Sequence, residues 1–258
     1  MTYITQLNAE VSGSGFPVIQ MPTDTEMSLY RSRSLVGWWR PDPNVSIAAA
    51  WTDRKAGIAT PLVHGETPLV MSGGTNNRPF IRQPEELSTP VYATQEAILP
   101  GTDGVNFAWF GKLTAGVCTT VQAVIANAVG VQREATFAGY GSAGDTVLFR
   151  NNATSSFISY PLPNPNDLHF IVASLDYTTK QGVLLVDKMQ VASGTSAQSL
   201  TSRRVSLLGA YSGSGAIFST SFKGDIYAMW AFGSALHLPQ NADQLAVLNA
   251  YMSERYGF

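Results

Sequence analysis

Charge is scarce in this chain. Only 13% of its 258 residues are Asp, Glu, Lys or Arg, about half the usual share, and no basic cluster is longer than Arg203-Arg204. A nucleic-acid partner is held by basic stripes, so none is expected. Cysteine is scarcer still. Cys118 stands alone, which excludes a disulfide framework within the chain, and its apolar-to-threonine surroundings read as a buried, inert thiol. The three histidines, His64, His169 and His237, lie far apart with no His-Glu-x-x-His among them, so no zinc site is expected. No apolar run reaches the roughly 18 residues of a membrane span. The opening Met1-Thr2-Tyr3-Ile4-Thr5-Gln6 has neither the basic region nor the apolar core of a signal peptide.

What is plentiful is Gly, Ser, Thr and Asn, a hydroxyl and amide surface in the style of secreted or particle-borne β proteins. A chain of this length buries roughly 70–75% of the surface it exposes when unfolded, so its core needs neither disulfide nor metal. Net charge is −2.

The stretch from Leu168 to Ala192 organises the rest. Leu168-His169-Phe170-Ile171-Val172-Ala173-Ser174-Leu175 carries apolar residues on both alternating faces, the pattern of a strand buried within a sandwich. A polar loop follows from Asp176 to Gly182, then Val183-Leu184-Leu185-Val186 and Met189-Gln190-Val191-Ala192 flank Asp187-Lys188. A two-residue polar insert between such runs predicts a tight hairpin turn. Local pattern alone leaves open a generic hairpin of any all-β protein.

Residues 1–34 lack sustained periodicity and include Ser12-Gly13-Ser14-Gly15-Phe16-Pro17. They read as an arm, with a disordered terminus as the alternative. From Ser34 the composition changes. Leu35-Val36-Gly37-Trp38-Trp39-Arg40 predicts a strand whose tryptophans plug the core. Asp53 reads as a turn carboxylate. The run from Thr119 to Val131 fits either a strand or a short helix, and strands at intervals of about ten residues then continue through Tyr160, the spacing of a sandwich. Leu245, Leu248 and Met252, after Asn241 and Gln244 and before Gly257, predict one closing helix with a capping-box-like start.

These features in order resemble the laminin-G-like, concanavalin A-like lectin and glucanase jelly-roll superfamily. The carriers are the Leu184 to Val191 turn, the Phe222-x-Gly224-Asp225-Ile226 strand and the helix ending Tyr251 to Gly257. Trp38-Trp39, Trp51-x-Asp53-x-x-x-Gly57 and Arg78-Pro79 look like the opening of its bacterial and phage branch. Asp187-Lys188 stands where that family's usual turn is Asp-Gly. The expected fold is therefore all-β: a jelly-roll β-sandwich over residues 35–258 with one C-terminal helix, preceded by an extended N-terminal arm over 1–34.

Catalytic patterns are missing. Gly139-x-Gly141-x-x-Gly144 precedes a strand instead of the helix that phosphate binding needs, so it reads as a β-turn, and neither Ser142 nor Ser214 completes Gly-x-Ser-x-Gly. The resemblance brings in glucanases, whose catalytic strand places two glutamates around an aspartate, and retaining hydrolysis needs carboxylates about 5 Å apart. No glutamate of this chain stands in such a strand, and no Arg-, His- and Tyr-bearing lyase strand is found. Calcium is the other inheritance of the resembled fold, and Asp103, Asp145, Asp176 and Asn151 or Asn152 are the loop residues that could serve it, but carboxylates spread singly seldom supply the six to eight oxygen ligands it requires, so no cofactor or metal is expected. For a glycan, Tyr140, Asn151, Asn152, Tyr177 and Tyr211 lie in predicted loops and offer aromatic faces and amides. Such a domain without a secretion signal reads as a non-enzymatic phage virion protein, a head or tail fibre or decoration released by lysis. Its expected partners are other virion proteins, copies of itself, preferably as a trimer, and host-surface glycan. The alternative is a carbohydrate-active enzyme or carbohydrate-binding module.

Overall fold

The computed structural model describes residues 22–42, 46–83, 90–101, 103–114, 122–128, 136–141, 144–151, 156–196, 203–209 and 222–258. Within them two antiparallel sheets of eight strands each are packed as a sandwich. The first runs β14 (Met189–Thr195), β13 (Gln181–Val186), β12 (His169–Asp176), β7 (Gly104–Leu113), β16 (Gly224–Phe232), β5 (Phe80–Gln83) and β4 (Leu69–Met71), with β1 (Leu35–Trp39) also paired to β16. The second runs β11 (Ser156–Pro161), β10 (Thr146–Asn151), β9 (Thr136–Tyr140), β8 (Gln122–Ala128), β15 (Arg204–Leu207), β6 (Val91–Ala93), β3 (Ala59–His64) and β2 (Ala50–Thr52). Helices α1 (Asp24–Arg31) and α2 (Ala242–Tyr256) cover the outer face of the first sheet. The expected jelly-roll sandwich with its closing helix is thus the observed fold, and the ambiguous run after Thr119 contains strand β8. Cys118 lies outside the described residues.

The central strands of the first sheet are dry on both sides, unlike its edges β14 and β4, and their sequence pattern says why. Successive side chains of a strand point to opposite faces, so Trp38 packs edge-on against Tyr251 of α2 at 5.2 Å between ring centres. Its neighbour Trp39 enters the space between the sheets, where its indole N–H donates to Thr60 Oγ1 at 2.9 Å. On β7, Phe107 and Trp109 face the second sheet while Ala108 and Phe110 face the helices. Every residue of β12 and of β16 is buried. Trp51 is a core plug as well, and Asp53 is the expected turn carboxylate. It is itself buried and accepts the backbone N–H groups of Trp38 at 2.6 Å, Lys55 at 3.0 Å and Ala56 at 2.6 Å.

The central hairpin forms as read, with a shorter first loop. The turn occupies Tyr177–Lys180, and Gln181 and Gly182, expected in that loop, already belong to β13. Asp187 and Lys188 have φ of 53° and 70°, the left-handed pair of a two-residue hairpin turn. Asp187 is anchored back on β12: its Oδ1 accepts the Phe170 N–H at 3.0 Å and its Oδ2 lies 2.8 Å from His169 Nδ1. Lys188 does what a glycine there could not. Its Nζ donates to Ser253 Oγ at 2.8 Å and to the Phe258 carbonyl, tying the turn to the end of α2.

The helix start departs from the expected capping box. Asn241 makes no side-chain cap. Gln244 instead turns sideways, donating to Asn241 Oδ1 at 3.2 Å while its Oε1 accepts Ser32 Oγ at 2.7 Å, the Ser34 N–H at 3.0 Å and Ser34 Oγ at 2.6 Å. This corrects the boundary of the arm at residue 34. Residues 24–34 are packed structure, with Leu29 of α1 fully buried and Glu26 paired with Arg40 at 2.8 Å. The expectation for residues 1–21 lies outside the described residues. At the other end Gly257, at φ 70°, closes α2 by donating to the Ser253 carbonyl at 3.0 Å, a left-handed cap that favours glycine. Leu248 and Met252 are fully buried, whereas Leu245 is half-buried and Tyr251 and Tyr256 carry much of the helix face.

Two measurements follow from this packing. Leu248→Ala is expected to cost about 2–5 kcal/mol in denaturant unfolding, the range for a fully buried leucine; a loss below about 0.5 kcal/mol would detach α2 from the core. The His169–Asp187 pair makes stability depend on pH. The hydrogen bond to Asp187 raises the His169 pKa above its ordinary 6.5, against burial, which lowers it. Its contribution is therefore complete below the unfolded value and is lost as pH rises through the folded one. Between about pH 6 and pH 8 the thermal midpoint should fall more in the wild type than in Asp187→Asn. Parallel profiles would contradict the pair's role.

Candidate functional site

Three neighbouring strands of the first sheet end together. β7 begins at Gly104, which pairs with Asp176 at the end of β12, and Phe232 at the end of β16 pairs with Asn106. The segments flanking these ends, around residue 103, at 177–180 and at 233–241, therefore meet at one end of the sandwich. They border a half-open cavity of about 450 Å³ lined by Asp103, Asp176, Thr178, Thr179, Ser234, Ala235, Leu238, Gln240 and Asn241.

A glycine lets these segments come close. A Cβ on Gly104 would lie 2.4 Å from the Leu175 carbonyl oxygen and 3.0 Å from the Ala235 nitrogen, at a φ of 158°. The 233–241 segment is held down by polar contacts with the strands. Ser174 Oγ on β12 lies 2.8 Å from His237 Nδ1, and Asn241 Nδ2 donates to the Ala235 carbonyl at 2.8 Å. Burial lowers the His237 pKa, and the charge of Asp176 opposes that shift.

The lining groups differ in how far they are already engaged. Asp176 is a turn-builder: it accepts the N–H groups of Thr178 at 3.0 Å and Thr179 at 3.2 Å and the Thr179 hydroxyl at 2.5 Å. Burial penalises its charge, but these donors outweigh that and hold its pKa below the ordinary carboxylate value. Asn241 Oδ1 is taken by Gln244 and by Arg33 at 3.3 Å. Ser234 is different. It is 8% exposed, and its Oγ has no hydrogen-bond partner among the described residues, a cost of roughly 1–3 kcal/mol for a buried hydroxyl. Asp103 is exposed at the rim. The arrangement offers carboxylate, hydroxyl and amide groups around a half-open space of ordinary ligand size.

Two further cavities, of about 360 Å³ and 290 Å³, lie on either side of Arg54 near α1. Their charged groups are engaged with one another or with backbone. Glu26 sits 2.8 Å from Arg40 and 3.8 Å from Arg54, and Asp53 is filled by its three N–H donors.

The residues expected to touch glycan fare unevenly. Tyr140 is corrected from loop to core: it ends β9, is fully buried and accepts the Trp109 indole N–H at 3.1 Å, and burial pushes its phenol upward. Tyr177 does start the turn beside the cavity, yet its ring points into the space between the sheets and is 9% exposed. Asn151 ends β10, while Asn152 and Tyr211 lie outside the described residues. Of the residues considered for calcium, Asp103 and Asp176 come together in the cavity, and Asp145 is exposed elsewhere, in the turn before β10. No group of three or more His, Cys, Asp or Glu side chains able to hold a metal occurs among the described residues. Sequence reasoning missed Ser234, Gln240 and Asn241. Their only signal was the clustering of polar residues between β16 and the closing helix.

Gly104→Ala should cost about 1–3 kcal/mol by overpacking, and it should raise amide exchange at Ala235 and its neighbours. Unchanged exchange there would show that Gly104 does not set how closely the 233–241 segment approaches β7.

No protein-family model matches the chain, and no curated protein matches it in sequence. Solved structures share its fold. Domain 4 of AbnA, a GH43 extracellular arabinanase from Geobacillus stearothermophilus solved with arabinotriose, superposes with a TM-score of 0.56 at 12% identity over 83% of this chain and 98% of that one. Botulinum neurotoxin type C, whose cell entry depends upon interaction with two ganglioside molecules, gives 0.55 at 11% identity over 83% of this chain and 51% of that one. The CBM40 of the Ruminococcus gnavus IT-sialidase, bound to α2,3 sialyllactose, gives 0.50 at 13% identity over 72% and 99%. The present chain spans about half the length of the botulinum toxin chains it resembles, between 51% and 53%.

Proposed function

We propose that this domain is a lectin-like, non-catalytic module that binds glycan in the cavity between the ends of β7, β12 and β16. One observation carries the reading. A half-open cleft of about 450 Å³ is lined by residues bearing carboxylate, hydroxyl and amide groups, among them Ser234, whose buried hydroxyl has no partner among the described residues. Sugar hydroxyls both donate and accept, and such a lining can satisfy both. The arabinotriose, ganglioside and sialyllactose ligands of the fold neighbours support the same direction, although at their identities they speak for the fold alone.

A carbohydrate-active enzyme is the second reading, because Asp103 and Asp176 share one cavity. Glycoside hydrolysis needs a carboxylic acid whose pKa is raised so that it can protonate the leaving group. Asp176 is shifted the other way and its lone pairs are spent on the Thr178–Thr179 turn. This favours binding over turnover.

In its full form the proposal sets the domain on a phage virion, as a head or tail fibre or decoration protein that meets host-surface glycan. It would stand there as a homotrimer among other virion proteins. The charge-poor, hydroxyl- and amide-rich sequence and the family resemblance support this part.

The binding claim is tested on an immobilised panel of neutral, amino and acidic glycans. The wild type should bind at least one glycan, and Ser234→Ala should weaken that binding about fivefold or more, the worth of one hydrogen bond. Unfractionated β-glucans, alginate and capsule should release no reducing ends or unsaturated products. Binding to no glycan, or turnover lost on Asp176→Asn, would overturn the reading.

A further inference from the structure

The lining has a sign. Asp103 and Asp176 bring two carboxylates to the cavity, and its wall holds no lysine, arginine or histidine among the described residues. Arg33 reaches two of the lining residues, donating to the Gln240 carbonyl at 2.5 Å and to Asn241 Oδ1 at 3.3 Å, and stands 3.7 Å from Asp243, while His237 of the same segment feels the Asp176 charge but has its pKa lowered by burial. The two carboxylates are unequal. Asp176 is committed to its turn, whereas the carboxylate of Asp103, whose backbone carbonyl accepts the Tyr177 N–H at 3.3 Å, has no hydrogen-bond or ion-pair partner among the described residues and is exposed. Ser234 also lines the cavity; it is more than nine-tenths buried, and its hydroxyl has no partner among the described residues. It is shielded from bulk water in this rotamer, and a serine hydroxyl has other staggered rotamers through which a ligand in the cavity could recruit it.

We propose that the ligand of this cavity is a sugar bearing a free amine, with its ammonium on Asp103 and a ring hydroxyl on Ser234, and that sugars bearing a carboxylate are turned away. The inference rests on the reading of the cavity as a glycan site. It departs from the sialyllactose held by one fold neighbour, because an acidic sugar entering here meets two carboxylates, while Arg33 is already engaged by Gln240, Asn241 and Asp243. An ammonium meets the opposite field. Near a surface, a charge pair of this kind is worth about 1 kcal/mol or more, which is about a fivefold preference in binding.

The test uses the whole chain and four monosaccharides, glucosamine, N-acetylglucosamine, glucose and glucuronate, titrated at low salt by calorimetry or ligand-detected NMR. Glucosamine is kept at a pH where its amine is protonated. Glucosamine should bind about fivefold or more tighter than glucose and N-acetylglucosamine, with glucuronate weakest, and added salt should shrink the gap. Asp103→Asn should bring the glucosamine-to-glucose ratio close to one. Ser234→Ala should weaken both sugars while keeping their ratio, and thermal midpoints check that each variant is folded. If neutral sugars bind but glucuronate binds as well as glucosamine, or if Asp103→Asn leaves the ratio unchanged, the amine inference fails and the glycan site stands. If calcium ions displace glucosamine, the carboxylates are a metal site and the amine inference fails. If no sugar binds, the glycan reading fails and this inference falls with it.

Discussion

A sheet that must lose water from both of its faces constrains everything else in this molecule. β7, β12 and β16 carry large apolar side chains at consecutive positions, so neither face can be left wet. One face is closed by the second sheet, and the other is closed by α1 and α2. The two-sided burial explains the neighbouring tryptophans of β1, one for each layer. It also explains why the closing helix is tied down at both ends, by Gln244 to Ser32 and Ser34 and by Lys188 to Ser253 and Phe258. An isolated helix of this length is marginal in water; here its tyrosines, leucine and methionine are part of the sheet's core.

The same constraint pushes function to the strand ends. Where the sheet is dry, backbone groups pair within it and side chains pack, leaving little polar chemistry free. Beyond Gly104, Asp176 and Phe232 the ladder stops, and polar side chains must satisfy the exposed backbone. Asp176 does so for its own turn, and Asn241 does so for the 233–241 segment. The space left over between these segments is consequently rimmed with oxygen and amide groups. Within it Ser234 is the group whose own needs the fold leaves unmet.

The fold was largely legible in the amino-acid sequence because burial on both faces writes itself as continuous apolar runs. The Leu168 to Leu175 run, the Asp187-Lys188 turn and the helix with Gly257 after it all appear where those patterns set them. α1 was not legible. It buries one leucine in eight residues, too few to make a periodic signal, and its attachment depends on Gln244, more than 200 positions away. Tyr140 and Tyr177 were misread because glycine and threonine neighbours mark a turn without saying which way a ring beside it points. Both rings go inward, where the area a tyrosine buries outweighs the cost of its hydroxyl. Asp103 and Asp176 were noticed separately. Their convergence with Ser234 depends on which strands are neighbours, and local sequence does not encode that order.

The account's central claim concerns where a sugar sits. The most direct measurement is a crystal structure of the full chain with its bound glycan. The account requires the sugar ring between the 177–180 and 233–241 segments, within hydrogen-bond reach of Asp103 and Ser234. A ring seated elsewhere, such as in the cavities beside Arg54, with the Asp103 and Ser234 site holding only water, would contradict it.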